Sequence, residues 1–186
     1  MHAILGASSA CIAVNPSDMN VALAALDAVI QVSGSRGERS IPIGEFHRLP
    51  GTMPQVDTVL QPAELITAVD LPAPAFTRHT HYLKVRERNS YAFALVSAAA
   101  ALDMDGNVVR QARLALGGVA HKPWRVPAAE ALLVGQPLDE ARSLQAARLL
   151  LDGAQPYRDN GFKVRMAERA VVRALREAQE NRGERA

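Results

Sequence analysis

The alternation and spacing of apolar positions predict an ordered series of elements. Residues 10–14 (ACIAV) form a short apolar run that predicts a buried strand. Asn15, Pro16, Ser17 and Asp18 follow, a turn ending in residues that favour helix starts, because a short side-chain oxygen can accept from the unpaired N–H groups of a first helical turn. Val21, Leu23, Ala24, Leu26 and Ala28 supply the apolar face of that helix, and residues 28–33 (AVIQVS) alternate as a strand does. The stretch 34–37 (GSRG) predicts a hairpin turn, with 39–42 (RSIP) as the return strand. Pro50, Gly51, Pro54 and Pro62 mark a loop-rich crossing. A strand at 64–71 (ELITAVDL) comes next, and Pro72, Ala73 and Pro74 stop it.

Beyond residue 80 the pattern changes. Strands are predicted at 82–86, 93–103 and 108–116, the last two joined by a turn at Asp105, Gly106 and Asn107, which makes an antiparallel meander. Helices are predicted at 127–134, 139–151 and 162–178. In the last of these Val164, Ala167, Val171, Ala174, Leu175 and Ala178 recur at helical spacing. Strands followed by helices define an α+β arrangement, with helices packed on one face of an antiparallel sheet. The chain has no internal repeat, and its only biased segment is a charged tail at 180–186, expected to fray.

Composition narrows the class. With 186 residues, 48% hydrophobic and 22% charged, the chain can build one ordinary core or two small ones sharing an interface. Net charge is only +2, and the pI near 9.0 reflects arginines, since lysine occurs only at Lys84, Lys122 and Lys163. So small an excess does not support a nucleic-acid role. Arg165, Arg169, Arg173 and Arg176 are spaced to line a solvated helix face, interrupted by Glu168 and Glu177. The longest apolar run, 91–102 (YAFALVSAAAAL), falls short of the roughly 20 residues that cross a bilayer. The N-terminal stretch has no basic region ahead of it, so a cytoplasmic location is expected. A single cysteine, Cys11, permits neither an internal disulfide nor a metal centre built from this chain's thiols alone. His79 and His81 flank Thr80 on one strand face but lack a third ligand at zinc spacing, and no nucleophile elbow surrounds Ser17.

Five motifs occur in a fixed order. They are Asn15-Pro-Ser-Asp18 before an Ala/Leu-rich helix, Pro62-x-Glu64-Leu-Ile66 opening a strand, and Tyr82-x-Lys84-x-Arg86 leading to Ser90-Tyr-Ala-Phe-Ala-Leu-Val. Leu116-Gly-Gly-Val-Ala120 with Pro123-Trp-Arg125, and Asn160-Gly-Phe-Lys163-Val, complete the series. In this order they resemble the medium, flavin-carrying subunit of xanthine dehydrogenase and aldehyde oxidoreductase type molybdenum hydroxylases. The resemblance implies the end of an FAD-binding α/β subdomain over residues 1–74. A C-terminal domain over 75–186 would follow, an antiparallel three-stranded sheet with helices on one face. It implies partners: a molybdopterin-binding large subunit and a small subunit with 2Fe-2S iron-sulfur clusters, and through the export signal of a partner a periplasmic alternative. In that assembly an aldehyde or N-heterocycle is oxidised at molybdopterin, and electrons pass through iron-sulfur centres to FAD and an external acceptor. In the family a glycine-rich loop cradles the FAD pyrophosphate, and residues 6–10 (GASSA) lack its spacing. A partial, truncated flavin site with weak autonomous FAD binding is therefore expected. The competing expectation is a non-catalytic assembly module.

The resemblance assigns roles to individual residues. Asp18, in the Ser17-Asp18 pair, matches a flavin-nucleotide contact, where a carboxylate accepts hydrogen bonds from sugar-type hydroxyls; the plainer alternative is a helix N-cap. Lys84 matches a cation near the isoalloxazine ring, against the alternative of an exposed strand charge. Ile66, or Leu65 beside it, matches a backbone or apolar flavin contact and could equally be core. Cys11 matches the last ligand of a four-iron four-sulfur cluster whose other ligands lie outside this sequence; a small core residue is the alternative. Trp124 and Arg125 are expected to pack and support the turn after Gly117 and Gly118, a pair suited to a tight bend.

Overall fold

A computed structural model describes residues 2–73, 75–76 and 78–181. Pro74 and most of the charged tail, residues 182–186, lie outside them. The elements run α1 (Asp18–Ala25), β1 (Val29–Gly34), β2 (Gly37–Pro42), α2 (Ile43–Phe46), β3 (Leu65–Asp70) and β4 (Thr80–Val85). They continue with β5 (Val96–Asp105), β6 (Val108–Gly117), α3 (Pro127–Ala131), α4 (Glu140–Leu150) and α5 (Phe162–Glu180). Two antiparallel sheets result, ordered β2-β1-β3 and β4-β5-β6. This is the expected α+β arrangement, with the predicted hairpin and meander in place.

The central strand β5 explains how the layers stack. Its residues Val96–Leu102 are buried without alternation, the mark of a strand covered on both faces. Successive side chains still point to opposite sides. Ala98, Ala100 and Leu102 join Leu114 and Leu116 of β6 in a core roofed by α3, α4 and α5. Ala99 and Ala115 face the other way, into a second core with Val21, Ala24 and Ala25 of α1 and with Ile30 and Val32 of β1. Helices α3 to α5 thus occupy the expected face, and α1 adds a layer on the opposite one.

The N-terminal segment departs from expectation. Residues 10–14 are partly or fully exposed and form no strand, because a ladder needs repeated pairing with one neighbour and this segment makes isolated bonds to two, the Ala3 N–H donating to the Ile12 carbonyl at 2.8 Å and the Ser8 N–H to the Cys11 carbonyl at 3.1 Å. The buried apolar residues lie earlier, at Ala3, Ile4 and Leu5, and the N–H groups of Ile4 and Leu5 both donate to the Val119 carbonyl. Two polar side chains hold this segment on the helical side. Asn160 donates to the Ala3 carbonyl at 3.0 Å, and the Lys163 ammonium donates to the carbonyls of His2, at 2.9 Å, and Gly118. Gly118 sits at φ +71, and a side chain there would meet the Leu95 carbonyl oxygen at 2.8 Å, so the bend requires glycine.

Lys163 is 1% exposed and faces carbonyl dipoles rather than a carboxylate. Burial pulls its pKa down to about 8, from 10.5 in the unfolded chain. Between those values the unfolded chain binds more protons than the folded one, so stability rises with pH across that window. Urea midpoints measured at about pH 7.5 and about pH 9.5 should therefore increase for the wild type relative to Lys163→Met, in which this contribution to the slope is absent.

Candidate functional site

Helix α1 starts on Ser17, whose hydroxyl accepts from the Asn20 N–H at 3.2 Å. The capping role weighed for Asp18 therefore belongs to Ser17, and Asp18 occupies the first helical position with its carboxylate free to turn toward the sheet. It meets β4 there. Lys84 donates to Asp18 Oδ2 at 2.6 Å and the Tyr82 hydroxyl to Oδ1 at 2.9 Å. Tyr82 has one proton, spent on the carboxylate, so the Ser97 hydroxyl 3.0 Å away donates to Tyr82. Burial first, and the Asp18 carboxylate with it, push the Tyr82 hydroxyl above its ordinary pKa against the opposing bond from Ser97. Tyr82 therefore stays a donor throughout the neutral range.

The node depends on close approach. Gly117 on β6 lies under α1, and a Cβ there would collide with the Ser97 hydroxyl and with Val21 of α1. Sequence reasoning named Asp18 and Lys84 but missed Tyr82 and Ser97. The available signal was period two on β4, which places Tyr82 and Lys84 on one face.

The node is a half-open polar end. The Asp18 side chain is 37% exposed and that of Lys84 24%. A carboxylate offers about four acceptor positions and an ammonium three donors. One bond each to Lys84 and Tyr82 leaves Asp18 acceptor capacity for hydroxyl groups, and Lys84 has donors to spare for an anionic or carbonyl group. A ribityl or sugar hydroxyl chain matches this donor and acceptor set.

The other expected residues sit apart from that node. Leu65 and Ile66 lie on β3, in the other sheet, and are 73% and 47% exposed; neither is core. Cys11 is a free, partly exposed thiol rather than a core residue. It lines an open depression with His2, Ile12, Val14, Pro16 and Phe93. A second polar network closes the opposite end of α1. Arg125 bonds to both carboxylate oxygens of Glu130, to Asp27 and to the Ala24 carbonyl, while Arg113 reaches Asp27 at 2.8 Å. Burial works to raise the Asp27 carboxyl, and the Arg125 and Arg113 guanidiniums outweigh it and hold it below its usual range. Trp124 Nε1 donates to the Leu150 carbonyl at 3.0 Å, joining the turn after β6 to α4.

Two families match the chain. Residues 81–178 match the CO dehydrogenase flavoprotein C-terminal domain, and residues 6–74 match the FAD binding domain in molybdopterin dehydrogenase. The chain belongs to the family of FAD-binding medium subunits of the molybdenum hydroxylases. It is 47% identical over 179 residues to the aldehyde oxidoreductase FAD-binding subunit PaoB of Escherichia coli, covering 95% of this chain and 52% of that protein. It is 26% identical to the carbon monoxide dehydrogenase medium chain of Afipia carboxidovorans, over 87% of this chain and 56% of that one. Among solved structures, carbon monoxide dehydrogenase from Hydrogenophaga pseudoflava superposes with a TM-score of 0.79 at 27% identity, over 90% of this chain and 58% of that chain. Quinoline 2-oxidoreductase from Pseudomonas putida gives 0.77 at 28%, over 90% and 57%. The chain spans about half the length of these relatives.

Gly117→Ala should lower stability by about 1–3 kcal/mol, the usual cost of forcing a methyl into a filled contact, whereas Gly44→Ala, which meets open space, should stay within about 1 kcal/mol of wild type. Urea unfolding of the two variants checks both values.

Proposed function

We propose that this chain supplies part of the flavin site of a molybdenum-containing aldehyde or xanthine-type oxidoreductase. In this reading it works as the electron-transfer subunit beside a molybdopterin-binding large subunit and a small 2Fe-2S subunit. The observation that carries the reading is the Asp18 carboxylate held between Lys84 and Tyr82 with unused hydrogen-bonding capacity facing outward. When bound, FAD supplies the chemistry of accepting and releasing electrons; the protein supplies position and electrostatics. Asp18 accepts from the hydroxyls of the cofactor's sugar-alcohol chain. Lys84 would hold a fixed positive charge beside the cofactor's redox-active ring. Tyr82 keeps the carboxylate oriented and remains protonated while doing so.

Ile66, or Leu65 on the opposite face of β3, gives this reading a second support. Large apolar side chains left uncovered on a strand await a flat or apolar partner, and the ring system of a flavin is one. Cys11, partly exposed at an open depression, is proposed as one ligand of a four-iron four-sulfur cluster whose other ligands would come from outside this sequence. We retain residues 1–74 and 75–186 as the two domains, a division supported by the separate sheets on either side of it. The alternative of an assembly module without flavin binding differs in one measurable respect.

FAD titrated into the purified chain and followed by flavin fluorescence should saturate. Asp18→Ala and Lys84→Ala should each weaken binding about ten-fold or more, the loss expected for a charge-assisted hydrogen bond. Arg148→Ala, on the remote surface of α4, should change nothing. Absence of saturable binding in the wild type would favour the assembly module.

A further inference from the structure

Strand β4 is the outer strand of its sheet. The bond from the Leu102 N–H to the His79 carbonyl, at 3.0 Å, sets the alternation along the β4–β5 pair. His81, Leu83 and Val85 therefore spend their backbone groups on β5, while Thr80, Tyr82 and Lys84 turn theirs outward. The Thr80 carbonyl accepts from the Asn181 side chain at 2.9 Å. Beyond it, among the described residues, no strand pairs along the outward edge of Tyr82 and Lys84. A bare edge of this kind is a template for another strand.

Helix α5 overhangs that edge. Between α5 and β4 runs an open groove of about 480 Å³, floored by Leu83, Val85 and the half-exposed Phe162, and rimmed by Arg165, Arg169 and Arg173. Arg173 is paired with Glu177 at 2.6 Å, whereas Arg165 and Arg169 make no ion pair among the described residues. Arginines four apart on a helix rise by about 6.0 Å, and alternate residues of a strand advance by about 6.4–6.8 Å, so the two repeats run nearly in step. Carboxylates at every second position of an added strand would each meet an arginine.

We propose that the groove between β4 and α5 receives an extended acidic segment of a partner polypeptide. That segment adds as a fourth strand to the edge of β4 and places alternate Asp or Glu side chains against Arg165, Arg169 and Arg173. The backbone edge supplies affinity and the arginine spacing supplies selection, as in other cases of strand addition. The site is independent of the flavin node. Lys84 and Tyr82 direct their side chains to the opposite face of the same strand, toward Asp18.

The test uses the purified chain and a fluorescein-labelled peptide of alternating Glu and Thr, with its Lys and Thr counterpart as the opposite-charge probe. Anisotropy should report saturable binding of the acidic peptide, and the amide protons of Tyr82 and Lys84 should exchange more slowly in its presence. The double variant Arg165→Glu with Arg169→Glu should lose at least ten-fold in affinity for the acidic peptide and gain binding to the basic one. Arg176→Glu, outside the groove, should keep wild-type affinity. Four results would each overturn the proposal: no binding of the acidic peptide, binding indifferent to the double variant, unchanged exchange at Tyr82 and Lys84, or a single-stranded oligonucleotide that displaces the peptide from the same arginines.

Discussion

Four consecutive alanines, Ala98–Ala101, form the middle of β5, and all four are less than 10% exposed. A strand buried on both faces must leave room for a layer on each. Small side chains are what allow both layers to approach closely, because interiors tolerate little misfit. On one face Ala98 and Ala100 lie beneath the long helix α5; on the other Ala99, with Ala115 and Gly117 of β6, lies beneath α1. The rest of the molecule depends on this thin central layer. Helix α1 reaches the sheet, its first residue reaches β4, and an ion pair forms between residues 66 positions apart.

That geometry gives the two ends of α1 different tasks. At the N-terminal end, one carboxylate faces a lysine and a tyrosine and keeps capacity for a ligand. At the C-terminal end Asp27, at φ 54, is tied with Glu130 into a dense network with Arg113 and Arg125. The closed network anchors the helix, and the open node keeps hydrogen-bonding capacity on its exposed side. The buried Lys163 plays a comparable anchoring part for the N-terminal segment, holding His2 and the Gly118 bend against α5. Cys11 follows that tethered segment by a short loop, so an outside cluster bound there would rest on the C-terminal core.

Much of the fold could be read from the sequence because its signals are local. The Ser17-Asp18 turn, the GSRG hairpin and the helical stripe of α5 all lie where their patterns place them. What could not be read was long-range. Asp18 and Lys84 are each named by the family resemblance, yet nothing local says that they touch. Tyr82 and Ser97 acquire their roles only from that contact. The segment 10–14 looked like a strand because it is apolar, and it lacks the neighbour that would make it one. Leu65 and Ile66 carry strand residues' identity without strand residues' burial; their 73% and 47% exposure emerges only once β3 is seen as an outer strand left uncovered on both faces.

The central claim is that Asp18 and Lys84 act as one unit in a flavin site. A double-mutant cycle of Asp18→Asn and Lys84→Met, read through FAD affinity, tests it most directly. If the pair acts together, the double variant should lose clearly less than the sum of the single losses, with a coupling of about 1 kcal/mol or more. Strictly additive losses would mean that the two side chains contact the flavin independently, and losses near zero would mean that this node is only a structural clasp; either result contradicts the account.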